Sequence, residues 1–116
     1  MGANEDLNLP TGKMKQVIIA FDVDGTLANN TKKEPRANER IRTLLTTLAS
    51  FKNTYIIVWS GSGQLYAKQM VRELGLAPYV NLCMGKEAWQ NLKVDIAIDD
   101  IQDTSIGNLN LIVREK

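Results

Sequence analysis

The chain contains no histidine. That absence removes Ser-His-Asp triads, Cys-His pairs, imidazole general bases and His-ligated zinc together. There is one cysteine, Cys83, which excludes an intrachain disulfide and a cysteine-based zinc cluster. Set in the apolar stretch "VNLCM", it is expected to be a buried core thiol. An excess of one charge is lacking too. Fourteen Lys and Arg against 13 Asp and Glu leave a formal net charge of +1, which is no electrostatic footprint for nucleic acid or an anionic membrane surface. No apolar run approaches the ~20 residues of a membrane-spanning helix. The opening "MGANEDLNLPTGKMK" has no apolar stretch of signal-peptide length. It begins Met-Gly, but Asp6 stands where a myristoylation signal needs Ser or Thr. These absences predict a cytoplasmic protein with no membrane partner.

What remains is one domain's worth of chain, 116 residues, near the commonest domain size. Residues 1–15 are polar, with Pro10 and Gly12, and read as a flexible N-terminal segment; residues 16–116 read as a single domain. No repeat, low-complexity tract or linker divides it. A short continuous apolar run at 16–21 and largely apolar runs at 54–60, 79–84, 94–98 and 108–113 predict five strands. Between the first two, Ile41, Leu44, Leu45, Leu48 and Ala49 recur at helical spacing from Pro35 onward, predicting about four turns. A helix over 64–74 has Leu65, Met70, Val71 and Leu74 as its stripe and Gly75 as its C-cap; 86–92 is a short helix. Strands that read solid and alternate with helices imply an α/β fold, a three-layer sandwich around a central parallel sheet covered on both faces. In such sheets ligands meet the carboxyl ends of the strands.

The strand ends carry the chemistry. The first, "VIIAFDVDGTLAN", delivers Asp22 and Asp24; the second delivers Ser60 and Gly61; the third is followed by Lys86; the fourth, "VDIAIDD", delivers Asp99 and Asp100. Clustered carboxylates repel one another at low dielectric and call for a cation. Oxygen ligands without His or Cys favour a hard ion, Mg²⁺, held by Asp22, Asp24, Asp99 and Asp100. Lys86, Ser60 and the backbone N–H groups near Gly61 suit phosphate oxygens. Without histidine, a reactive cysteine or a Walker loop, the best-placed nucleophile is a carboxylate. Asp22 can attack phosphorus to form an aspartyl-phosphate, and Asp24 can protonate the leaving group and then activate water. Gly25 allows the sharp turn that follows.

These residues resemble a known family. "DVDGTL" at 22–27 is similar to the first motif of the haloacid dehalogenase (HAD) superfamily. A strand closing on Ser60, a downstream lysine and "IAIDD" resemble its other three motifs in order. The resemblance implies a Rossmann-like (Rossmannoid) fold and a phosphatase acting through an aspartyl-phosphate. It makes Asp22 the nucleophile, and Asp24 the acid/base and a metal ligand through its backbone carbonyl. Ser60 then binds phosphate, Lys86 steadies nucleophile and phosphate, and the Asp99/Asp100 pair completes the Mg²⁺ site, Asp100 being the favoured direct ligand. An aspartate at the second motif position marks phosphatases and phosphotransferases rather than dehalogenases. Two departures stand out. The interval from Lys86 to Asp99 is short, which makes Lys93 a rival for the lysine role. Neither interval that usually holds a cap domain has room for one. An open site suits a large phosphorylated substrate, a phosphoprotein or nucleic acid end, or a homo-oligomer whose neighbour supplies a lid; capless members with small substrates also exist.

Other residues read more plainly. Trp59 and Trp89 are expected to pack, Arg36 and Arg40 to be solvated, and Asp103 to be solvated or supporting. Lys32 and Lys33 are a solvated loop or a contact for an anionic substrate. Two other functions fit parts of the pattern. A signalling receiver domain also has an acidic Mg²⁺ pocket, a phosphorylated aspartate and a lysine, but its phosphorylated aspartate ends the third strand, where "VNLCM" has none. A catalytically idle binding domain would have no use for the intact set of polar strand ends.

Overall fold

β-Branched and aromatic residues dominate the first two strands, as a pleated, buried surface favours. In the computed structural model, which describes residues 15–29, 36–101 and 105–114, the strands are β1 (Val17–Asp22), β2 (Thr54–Ser60), β3 (Leu82–Gly85), β4 (Val94–Asp99) and β5 (Gly107–Ile112). The sheet order is β3-β2-β1-β4-β5, and every pairing is parallel. This is an α/β fold with a central parallel sheet. Its order is not the 2-1-3-4-5 of the receiver fold. The segment before Lys15, together with Lys32, Lys33 and Asp103, lies outside the described residues, as does the side chain of Trp89.

Chain order reverses direction across the sheet between β1 and β4. Connections from β1 run outward to β2 and β3 on one side, and β4 and β5 lie on the other. A crevice opens at the carboxyl ends of strands at such a switch point. Register then decides what meets there. Phe21 pairs with Ile98, so Asp22 and Asp99 follow at matching positions. Asp22 pairs with Trp59 and Ser60 with Gly85, so Ser60 lies one residue beyond the level of Asp22 and Lys86 two.

Helices α1 (Glu39–Ala49) and α2 (Gln64–Glu73) share one face of the sheet. Leu45 of α1 and Ala67, Met70 and Val71 of α2 are buried in one cluster with Ile19, Phe21, Ile56, Val58 and Ile98. The opposite face holds a smaller cluster of Ala20, Ile57, Trp59, Val94 and Ala97, with Leu92 and Ile106 packed against it. Trp59 is a packing residue, 1% exposed. Among the described residues no helix is long and apolar enough to cross a membrane.

Several local expectations are corrected. α1 starts at Glu39, later than Pro35, because the chain before it is paired elsewhere. Asn29 N donates to Arg36 O at 2.9 Å and Asn38 N to Leu27 O at 2.8 Å, and Ala28 bridges Ala37 antiparallel. Leu65 is 81% exposed. It lies roughly 200° around the helix from Ala67, off the buried stripe. Residues Ala77–Tyr79 form a 3₁₀ turn, since Pro78 fixes a φ suited to a turn and removes a strand donor; β3 therefore begins at Leu82. Cys83 is half-buried, because β3 is an edge strand. At the other edge Leu109 and Leu111 of β5 are exposed, so the sheet is not covered along its whole width. Gly75 does end α2, at φ +72. Leu76 N donates to Val71 O at 2.8 Å, the bond of a helix closed by a left-handed residue.

Candidate active site

β1 ends on Asp22, whose residue is only 5% exposed. The chain then turns: Thr26 N donates to Val23 O at 3.2 Å and Gly25 N to Ala28 O at 2.8 Å. Gly25 has φ +82, a left-handed conformation that costs a residue with a Cβ about 1–2 kcal/mol. The turn brings the Thr26 hydroxyl back onto the nucleophile candidate, donating to Asp22 Oδ2 at 3.2 Å. Thr26 is fully buried.

Lys86 comes off the end of β3, and its Nζ lies 2.8 Å from Asp22 Oδ1 and 2.6 Å from Asp99 Oδ2. The ammonium thus ties together the two strands that flank the switch point. Asp99 is 3% exposed, and its Oδ1 accepts from Ile101 N at 3.2 Å. Asp100 follows, half-buried. Carboxylate oxygens of Asp22, Asp99 and Asp100 all lie within 4.8 Å of one another.

Three carboxylates gather beside one ammonium, which contacts two of them, Asp22 and Asp99. Burial pushes Asp22 up to about 7 despite the pull of Lys86, and the neighbouring Asp99 and Asp100 add to the rise. Asp100 is also raised, by burial and then by Asp99. Burial opposes the charge on Lys86, but its contacts with Asp22 and Asp99 outweigh that and raise its pKa. The ammonium is therefore fixed, and the surplus negative charge resides on the aspartates.

Asp24 departs from the expected convergence of four carboxylates. Within the turn it is exposed, and its Oδ1 accepts from Tyr66 Oη at 2.6 Å. Its side chain is not part of the three-aspartate group. Tyr66 sits in the first turn of α2 and is pushed up to about 12, by its own burial and then by its bond to Asp24. Ser60 is buried at the end of β2, and its Oγ accepts from Ser62 N at 3.0 Å. Gly61 is exposed beside it. Lys93 is exposed and precedes β4, at the end of the sheet opposite Asp99. Six residues of strand, roughly 20 Å, separate those ends.

Thr26 and Tyr66 were not singled out from the sequence. Thr26 had a signal, lying four residues after Asp22 within "DVDGTL". Tyr66 had none, because its contact with Asp24 spans 42 positions.

The assembled group is oxygen-only, anionic and open toward one ammonium. Such a donor set fits a hard divalent cation. Residues 19–109, from β1 into β5, match the haloacid dehalogenase-like hydrolase family. No curated protein and no solved structure matches the chain significantly. The family match covers most of the sequence and includes all the strand ends just described, so the chain belongs to the haloacid dehalogenase-like hydrolases.

Proposed function

We propose that the protein is a Mg²⁺-dependent phosphomonoester hydrolase that works through an aspartyl-phosphate on Asp22. The observation that carries this reading is the placement of Asp22 at the switch point, bound to Lys86, with Asp99 and Asp100 in reach of a shared ion.

Asp22 and Asp100 would hold the metal directly with the backbone carbonyl of Asp24, and Asp99, engaged by Lys86 and Ile101 N, would stand behind them. Bound there, Mg²⁺ neutralises charge between an anionic nucleophile and an anionic phosphate. Lys86 supplies a second positive charge at Asp22 Oδ1, and Thr26 fixes Asp22 Oδ2, so the carboxylate is oriented before substrate arrives. Ser60 and the backbone N–H groups of the following turn receive phosphate oxygens. Asp22 forms a bond to phosphorus as the bond to the ester oxygen breaks. Asp24 gives that oxygen its proton. Asp24 then takes a proton from water, whose oxygen attacks phosphorus and releases Asp22 and inorganic phosphate.

The test is turnover of p-nitrophenyl phosphate with Mg²⁺, with EDTA, and by Asp22→Asn. EDTA and the substitution should each abolish it. Activity that survives both overturns the reading.

A further inference from the structure

Asp24 lies where two uses compete for its carboxylate. Three other aspartates gather nearby, and a cation held among them would attract a fourth. A ligated carboxylate is a poor proton donor. In the structure the side chain is instead held by Tyr66, at 2.6 Å. A short bond from a hydroxyl to a carboxylate is among the stronger hydrogen bonds. Tyr66 is itself well anchored. The next residue, Ala67, and then Met70 and Val71 are buried in the core. The start of α2 is fixed to the end of β2 by Gly63 N donating to Ser60 O at 3.1 Å. A phenol is protonated near neutral pH, so the hydroxyl donates to one oxygen of Asp24 and leaves the other free to exchange a proton.

We infer that Tyr66 is a positioning residue that holds the Asp24 carboxyl clear of the aspartate cluster and directed at the leaving-group oxygen. This rests on the proposed role of Asp24 as the acid. The same turn that presents Ser60 to phosphate would then set the position of the proton donor. Binding of the phosphoryl group and protonation of the ester oxygen are coupled through one helix start.

The role has a signature that a structural contact lacks. A general acid matters for a poor leaving group and little for a good one. The experiment measures kcat/KM for Asp24→Asn, Tyr66→Phe and the unaltered protein on a series of aryl and alkyl phosphates of rising leaving-group pKa. kcat/KM reports the first irreversible step, before water enters. Asp24→Asn should steepen the dependence on leaving-group pKa. Tyr66→Phe should steepen it in the same sense but less, with a loss about tenfold greater on alkyl phosphates than on p-nitrophenyl phosphate. Thermal melting of Tyr66→Phe checks that the fold is intact, and Tyr66→Gln, which restores a donor, should recover part of the alkyl activity. If Asp24→Asn steepens the series and Tyr66→Phe lowers all substrates equally, or none, the positioning role is overturned. If Asp24→Asn leaves the slope unchanged, the acid assignment itself falls, and the role of Tyr66 with it.

Discussion

Lys86 Nζ and Asp99 Oδ2 meet at 2.6 Å, and the same nitrogen reaches Asp22 Oδ1 at 2.8 Å. One flexible side chain from the turn after β3 therefore spans the ends of β1 and β4. The sheet order makes this possible, because β1 and β4 are neighbours with Asp22 and Asp99 at matching heights. Lys86 is the cation that allows two buried carboxylates to coexist before any metal binds.

Replacing Lys86 should accordingly be severe. Lys86→Met removes a positive charge aimed at Asp22, the proposed nucleophile, and kcat should fall about 10²–10³-fold, the range for losing one well-placed electrostatic donor. Lys93→Met, exposed at the far end of β4, should keep kcat within about twofold, as surface substitutions usually do. Steady-state assays of the two variants at saturating Mg²⁺ separate them. Equal losses would return Lys93 to contention.

The raised pKa of Asp22 predicts how metal and pH interact. Its value in the folded chain, about 7, lies well above the ordinary aspartate range, so the folded state holds the proton more tightly than the unfolded state. The stability this group contributes is present below about pH 4 and is lost as pH rises through about 7. Asp100, also raised, acts in the same direction. A cation can replace the missing proton. Melting in EDTA should therefore show this loss between pH 5 and pH 8, and the rise in Tm on adding Mg²⁺ should be larger at pH 8. An equal rise at both pH values would contradict the arrangement.

The two adjacent aspartates should differ in kind. Asp99 is committed to Lys86 and to the N–H of Ile101, whereas Asp100 is less buried and stands within the carboxylate group. Asp100→Asn should raise the Mg²⁺ concentration for half-maximal activity about 10–100-fold, with much of the rate recovered at high Mg²⁺. Asp99→Asn should lower kcat at every Mg²⁺ concentration, because it frees Lys86. Magnesium titrations of activity for both variants measure the contrast.

The parts of this arrangement that were legible in the sequence share a cause. β1, β2 and β4 are buried inner strands, so their runs are largely apolar, broken in β4 by Asp95, and end abruptly on Asp22, Ser60 and Asp99. Parallel neighbours then bring those ends together. What was not legible depends on contacts rather than pattern. The late start of α1 follows from residues 36–38 pairing back onto 27–29. The late start of β3 follows from a 3₁₀ turn at Pro78. Leu65 is apolar but points to solvent, because its face of α2 is turned away from the buried stripe. The outward turn of Asp24 depends on Tyr66, which becomes its neighbour only when α2 folds back over β2 and β3.

Thr26 gives the most local test of how the nucleophile is prepared. It is wholly buried, and its hydroxyl donates to Asp22 Oδ2 at 3.2 Å. Thr26→Val keeps the shape and removes the donor. A buried carboxylate that loses one hydrogen bond is left less well solvated, at a cost of about 1–3 kcal/mol. Part of that cost should appear in folding, as a lower Tm in EDTA. The rest should appear as a fall of about tenfold or more in kcat/KM, since each 1.4 kcal/mol of lost transition-state stabilisation is about tenfold in rate. Thr26→Ser retains the hydroxyl and should recover most of both. Because Asp22 carries its negative charge more readily when ionic partners surround it, the Tm deficit of Thr26→Val should shrink when Mg²⁺ is added. A deficit that Mg²⁺ leaves untouched would mean that Thr26 supports only the turn after β1, and that the nucleophile is oriented by Lys86 alone.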